Sequence, residues 1–483
     1  RYISCMIYIP RDRFSSELRQ TMIQILEQEL QGQCGNFYTN MDDSVFARVT
    51  VTIHISQHNP PKFKAAEIEA QLVDVARTWP ERLSAALYIT DKPAEEAKTL
   101  TVKYAAAFPV DYTSRYRAKQ AIFDIEKIEA ALSSHFLQLE LYRPDDISPR
   151  HLRLKLYNPG GPVTLSDVMP ILENMGLRTI SELPFEITPA GEVGPVWIHD
   201  FLVEVPEIKD GVNVADVKNN FEKAFSRIWA KDAEDDGLNR LLLSANLNWH
   251  EITILRAYVR YLRQIGSPFS RQYIQKALTS FPKIARMIVE MFKGLHDPAN
   301  GEKGATIAAT SAAAIERALE GVEALDQDRI LRAMTNLVDC TLRTNYFQRD
   351  EKGKAKTYLC FKIDSRRVID LPDPKPLVEI FVYSTRVEGI HLRGDRIARG
   401  GLRWSDRHED FRTEVLGLMK AQMVKNAVIV PTGAKGGFVV KTPTATREEF
   451  QREGIECYKI FISALLDITD NRVNGKPVRP KNV

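Results

Sequence analysis

A mixed α+β and α/β multidomain fold is predicted for this chain, and three observations predict it. A strand–helix–strand–strand–helix order appears twice, about 150 residues apart. The stretch from 213 to about 348 reads as almost wholly helical. After about residue 354 the texture turns to strands rich in β-branched and aromatic residues.

Residues 1–10 alternate as a strand does, and Leu18, Met22, Ile25 and Leu26 within 13–30 follow at helical spacing. GNFYTNM and VFARVTVTIHI supply two strands, and 63–78 a helix. In the second unit HLRLKLYN (151–158) reads as a strand, PGGP (159–162) as a turn and 166–176 as a helix. Ser166 or Asp167 is the expected N-cap. LRTISELPFEIT and VWIHDFLVEVP add two strands, and 213–230 closes the unit as a helix. The intervening 112–134 is read mostly as helix. Further on, NWHEITILRAYVRYLRQIG carries an apolar stripe with Gly266 as its stop, and ATIAATSAAAIERALEGVEAL is alanine-rich. These patterns divide the chain into expected segments 1–82, 83–147, 148–230, 231–350 and 351–483.

The 483 residues suffice for about three domains. A hydrophobic fraction of 44% and a charged fraction of 27% are ordinary globular values. Lys+Arg of 66 nearly balances Asp+Glu of 63, so no global field favours nucleic acid or a membrane surface. Cys5, Cys34, Cys340, Cys360 and Cys457 are odd in number and form no CxxC pair. That argues against a disulfide scaffold or a zinc ribbon and fits a reducing, cytoplasmic compartment. His250 and His296 have no partner at metal-ligand spacing and read as ordinary histidines; no metal is expected. No apolar run of membrane-spanning length occurs. RYISCMIYIPRD enters a strand at once and NGKPVRPKNV stops in a loop, so the chain reads as part of a longer polypeptide.

Chemistry concentrates in 399–440, RGGLRWSDRHEDFRTEVLGLMKAQMVKNAVIVPTGAKGGFVV. Asp406 and Glu409 have capping-box spacing, and Phe411, Val415, Met419 and Met423 form the buried stripe of a helix. Gln422 and Lys425 lie three apart on another face near its end. A strand AVIVP, a glycine-rich turn holding Lys435 and a second strand FVVK are expected next. Gly400 and Gly401 let backbone approach a ligand closely, with Arg399 and Arg403 beside them. Cations converging on a small site suit a dicarboxylate. Arginine can hold one carboxylate bidentately, and lysine with glutamine the other. A lysine confined as Lys435 is can serve as general acid and base. A P-loop is excluded, because Ala434 precedes Lys435 and Gly436 follows it. The arginines at 393, 396, 399, 403, 407 and 412 interleave with Asp395, Asp406, Glu409 and Asp410, so they read as a solvated mixed-charge surface rather than a nucleic-acid patch.

Two resemblances add to this. The βαββα units resemble ACT domains, modules that often bind amino acids, so an amino-acid effector is expected. The order of ArgGlyGlyLeuArg (399–403), Gln422 with Lys425, and ThrGlyAlaLysGlyGly (432–437) resembles the glutamate dehydrogenase family. The wording RGGLRWSDR…MKAQMVKNAVIVP is similar to its large NAD-specific bacterial branch. The resemblance implies oxidative deamination of glutamate to 2-oxoglutarate and ammonia with NAD as cofactor, in a homo-oligomer. It implies Lys435 as the catalytic lysine and Lys425 with Gln422 on the substrate α-carboxylate. Arg399 would meet the γ-carboxylate, with Gly400 and Gly401 against the substrate. Arg399 stands where the family more often has lysine, and Thr432 where it has glycine. No GxGxxG opens a helix in these residues, so 351–483 is expected to be the start of a substrate-binding domain truncated before the Rossmann domain. The NAD-binding residues and the catalytic aspartate are accordingly expected beyond Val483. The competing readings are a dehydrogenase of another amino acid and a non-catalytic amino-acid sensor.

Overall fold

A computed structural model of the 483-residue chain describes all residues except 57–60, 146, 193, 207–212 and 426–431; the side chains of 399 and 423–425 also lie outside the description. The first repeat runs β1 (Tyr2–Pro10), α1 (Ser16–Glu29), β2 (Gln33–Asn40), β3 (Phe46–His54) and α2 (Ala65–Ala76). Four helices follow: α3 (Trp79–Tyr88), α4 (Ala94–Tyr104), α5 (Val110–Arg115) and α6 (Ala118–Ser134). An extra strand, β4 (Gln138–Tyr142), precedes the second repeat of β5 (His151–Pro159), α7 (Leu165–Asn174), β6 (Arg178–Ile187), β7 (Val196–Glu204) and α8 (Val214–Trp229). The first sheet has the order β1-β3-β2 and the second β4-β5-β7-β6. In both, the third strand of the repeat lies between the first and second, the arrangement that a repeated βαββα unit requires.

Contacts divide the chain into two compact units, 1–138 with 156–162 and 184–199, and 139–155 with 163–183 and 200–483. In the first, Val49, Val51 and Ile53 of β3 alternate inward and pack on Met22 and Leu26 of α1 and on Leu30, its C-cap. Ser15 caps α1 by accepting from Leu18 N at 3.0 Å. The helix expected over 112–134 is two helices. Tyr116 and Arg117 are extended, and Gln120 turns back to accept from Arg117 N at 2.9 Å, restarting the helix. Around this break Phe108, Tyr112 and Phe185 pack as an aromatic cluster.

In the second unit α9 (Leu241–Ser244), α10 (Trp249–Gln264), α11 (Arg271–Ser280), α12 (Pro282–His296), α13 (Lys303–Leu319) and α14 (Leu325–Asp339) make the helical region. Gly266, at φ +89°, ends α10 as expected, with Ser267 N donating to Leu262 O and Gly266 N to Arg263 O. The cap of α7 is Thr164, not Ser166 or Asp167: the Thr164 carbonyl already accepts from Asp167 N and Val168 N, so both expected caps lie inside the first turn.

The remaining elements are β8 (Thr341–Thr344), β9 (Tyr358–Ile363), β10 (Val378–Ser384), β11 (Val387–Arg393), β12 (Arg399–Trp404), α15 (Phe411–Lys425), β13 (Gly433–Val440), α16 (Arg447–Asp467), β14 (Asn471–Val473) and β15 (Lys476–Val478). Six of the strands form a sheet ordered β12-β13-β11-β10-β9-β8. All its pairs are antiparallel except β12 with β13. Helices cover both faces. A Cβ placed on Gly437 would sit 2.6 Å from Val415 of α15, and one on Gly389 2.6 Å from Phe461 of α16. Among the described residues no helix is long and apolar enough to cross a membrane.

Candidate functional site

Two corrections to the sequence reading shape the site. Lys435 is not in a turn. Gly433–Val440 is one continuous strand, the glycines permitting close approach of neighbours rather than a reversal. The RGGLRW segment, given no element from the sequence, is the strand β12 lying parallel to it. Gly400 pairs with Ala434 and Gly401 with Lys435. A Cβ on Gly400 would fall 1.2 Å from the Ala434 carbonyl oxygen, so only glycine admits this approach.

Lys435 is half-buried on the face that α15 covers. Its Nζ lies 3.8 Å from the position a Cβ on Gly401 would take, so the missing side chain leaves room beside the ammonium. No hydrogen-bond or ion-pair partner engages it among the described residues. Two residues earlier, Gly433 faces Gln422. A Cβ there would be 3.1 Å from Gln422 Cβ and 2.9 Å from Met419 O. Lys435, Gly401 and Gln422 are thus brought to one face of the β12–β13 pair. The side chains of Arg399 and Lys425, and the expected strand AVIVP, lie outside the described residues.

Arg403 is tied into the fold: its Nε lies 2.6 Å from Glu414 Oε1, and Ser405 donates to the same carboxylate at 2.5 Å. Glu414 therefore clamps the end of β12 to the first turn of α15. That helix starts at Phe411, and the Asp410 carbonyl accepts from Thr413 N and Glu414 N. The Asp406–Glu409 capping box does not form, because both residues precede the helix in the turn that Asp410 closes by pairing with Arg407. Phe411, Val415 and Met419 are buried as expected, and the Met423 side chain is outside the description.

Val483, beyond which the cofactor-binding residues are expected, has a structural place of its own. Its side chain packs against the apolar cluster that includes Cys360, Phe438 and Phe461. Its backbone oxygen accepts from Arg479 Nη2 at 2.6 Å. Val483 therefore rests on the sheet–α16 core.

Sequence reasoning missed how α15 is held. Arg412, grouped with the solvated arginines, is 1% exposed and pairs with the fully buried Glu379 of β10 through Nε at 2.9 Å and through Nη2. Tyr261 of α10 donates to the same carboxylate at 2.9 Å. Gln264 donates to the His408 and Glu409 carbonyls at 3.1 Å and accepts from Arg412 N at 3.1 Å. The available signal was position: Arg412 directly follows Phe411, at the first turn of a helix whose Phe411–Val415–Met419 stripe is buried. Behind β10 and β11, Lys441 and Arg260 bind Glu234. Burial alone would raise its carboxyl; those cations hold it down at about 2.

This arrangement offers an ammonium without a partner among the described residues and a side-chain amide above a floor cleared by glycine, beside backbone N–H and C=O groups. It can seat a small polar molecule and move a proton at Nζ.

Comparison with known proteins places the chain in a class, the dehydrogenases that carry ACT and helical modules ahead of a catalytic domain. Family profiles match at residues 1–80 (glutamate dehydrogenase, ACT2 domain), 89–131 (helical motif 2), 136–217 (ACT3 domain), 233–298 (helical motif 3) and 314–483 (bacterial NAD-glutamate dehydrogenase, catalytic domain). By that domain set the chain belongs to the bacterial NAD-glutamate dehydrogenase family. It is 45% identical to the NAD-specific glutamate dehydrogenase of Halomonas elongata and 41% to that of Pseudomonas aeruginosa, each over 100% of this chain. Identity to the Mycobacterium tuberculosis enzyme of the same name is 38% over 97%. The chain spans about 30% of the length of each of these relatives.

Proposed function

We propose that this chain is the regulatory and substrate-holding part of an NAD-specific glutamate dehydrogenase, whose reaction is L-glutamate, NAD and water to 2-oxoglutarate, ammonia and NADH. The observation that carries the reading is the meeting of Lys435, Gly401 and Gln422 on one face of the β12–β13 pair. Glutamate would lie against Gly400 and Gly401, its α-carboxylate on Gln422 and Lys425 and its γ-carboxylate on Arg399. Arg403 would set the rim through Glu414. Lys435 is the proposed proton carrier at the α-carbon, activating the water that attacks the imine and stabilising the oxygen that develops there. No Gly-x-Gly-x-x-Gly strand–turn–helix occurs among the described residues. The residues that hold NAD, a Rossmann domain and the acid partner of Lys435 would lie beyond Val483, in the part of the relatives' length that this chain does not match. The segments 1–82 and 148–230 would be amino-acid-sensing ACT units, 83–147 and 231–350 their helical connectors, and 351–483 the opening of the substrate domain, in a cytoplasmic homo-oligomer.

Lys435→Ala in the intact enzyme tests this. Turnover should fall by orders of magnitude while the circular dichroism spectrum and melting temperature hold. Turnover near the parent value would remove Lys435 from catalysis.

A further inference from the structure

A cavity of about 300 Å³ lies in the second unit, between the first turns of α10, the end of β10 and the 345–359 segment. It shares no lining residue with the Lys435 site. Two nearly fully buried side chains line it with unused donors. Arg256, 2% exposed, spends Nε and Nη2 on Asp236 at 2.9 and 3.0 Å and Nη2 again on Asn239 at 2.8 Å. Its Nη1 has no partner among the described residues. Tyr383, also 2% exposed, makes no hydrogen bond through its hydroxyl among the described residues. Neither atom is walled in by protein, so both face open space. Burial, reinforced by Glu234, raises the Tyr383 phenol far above its ordinary value, which keeps it a donor.

The other walls mix rings with charged groups, Arg227, Lys354 and Lys356 against Asp232 and Asp350. Trp249, His250 and Tyr346 present rings, His250 stacked on Tyr346 at 4.2 Å between centroids. Burial and Arg349 push the His250 imidazole down to about 4, so it adds no charge at neutral pH. Glu234, which also lines the cavity, is already matched by Lys441 and Arg260. A guanidinium N–H and a phenol O–H opening into one cavity are two donors that a single carboxylate can accept from at once. The volume is at the small end of ligand cavities.

We propose that this cavity is a binding site for a small monocarboxylate with a flat or short apolar body, its carboxylate on Arg256 Nη1 and Tyr383 Oη and its body against Trp249 and Tyr346. The site is separate from the proposed glutamate site, yet both rest on α10: Trp249, His250, Thr253 and Arg256 line the cavity, while Tyr261 and Gln264 hold the α15 end of the sheet. Occupancy therefore bears on the element that positions Gln422.

Benzoate is the probe, because it has one carboxylate, a flat body and no second acid for the glutamate site. Calorimetric titration of the 483-residue chain should give saturable one-to-one binding. Tyr383→Phe, which removes a single oxygen, should weaken it about tenfold. Thr253→Phe, filling the cavity, should abolish it, and Lys435→Ala should leave the affinity in place. Absence of saturable binding into the millimolar range overturns the proposal. So does an isotherm that Tyr383→Phe does not weaken. Should Thr253→Phe fail to fold, the phenylalanine variant at 383 decides alone.

Discussion

At the scale of single residues, Gly400 shows how backbone proximity is specified. Its missing Cβ is the only reason β12 can lie against Ala434, since the obstructing atom is a carbonyl oxygen that no rotamer change can move. Gly400→Ala should therefore separate the strands, at a cost of several kcal/mol. Urea denaturation would show it as a lower midpoint. An unchanged midpoint would mean that the strands are not in this register. Gly401→Ala is a contrasting case: its nearest neighbour is Lys435 Nζ at 3.8 Å, so it should fold normally while crowding the ammonium. The identity of these site residues was legible in the sequence because they sit in short, unusual strings. Their local conformation was not. Glycine is read as a turn former, whereas here three glycines of β13 serve close packing within a strand.

Among the elements, α15 matters most, since it carries Gln422 and is held from beneath by the Tyr261–Glu379–Arg412 group. Glu379→Gln would leave the Arg412 guanidinium buried without a counter-charge and should cost about 3–5 kcal/mol. Replacing Glu379 and Arg412 together with methionine should cost much less. A double variant as unstable as the single one would show that the pair is not acting through charge. Helices with clear apolar periodicity, such as α2, α8 and α10, were readable within a residue or two of their ends. Arg412 was not, because an arginine among alternating charges reads as solvated until its tertiary partner is known. The same holds for the break at Tyr116–Arg117, where no glycine or proline marks the interruption.

Over the whole molecule, three histidines in separate places share one behaviour. Burial lowers His250, His296 and His391 to about 4, assisted by Arg349, Arg479 and Arg393 respectively. Each folded value lies below the unfolded one of about 6.5, so the unfolded chain binds more protons between the two. Stability is then full above pH 6.5 and falls as pH drops toward 4, by about 1.4 kcal/mol per pH unit for each ring. Urea midpoints at pH 7, 6 and 5 should decline accordingly; a flat profile would place these rings in water. At this scale the repeated βαββα order was visible from periodicity, and the shared sheet order bears it out. The six-stranded sheet was only partly foreseen, since β12 and β13 are glycine-rich and lack the β-branched signature of β9 and β10.

The parallel pairing of β12 with β13 has a last consequence. Two strands pointing the same way cannot be joined by a hairpin, so the chain must travel back along their length, and α15 is that return path. Its angular phase is consequently part of the chemistry. Inserting one residue between Met419 and Gln422 would turn the remainder of the helix by about 100° and swing the amide away from Gly433, whereas the turn at 406–410 could absorb the same insertion without rotating anything.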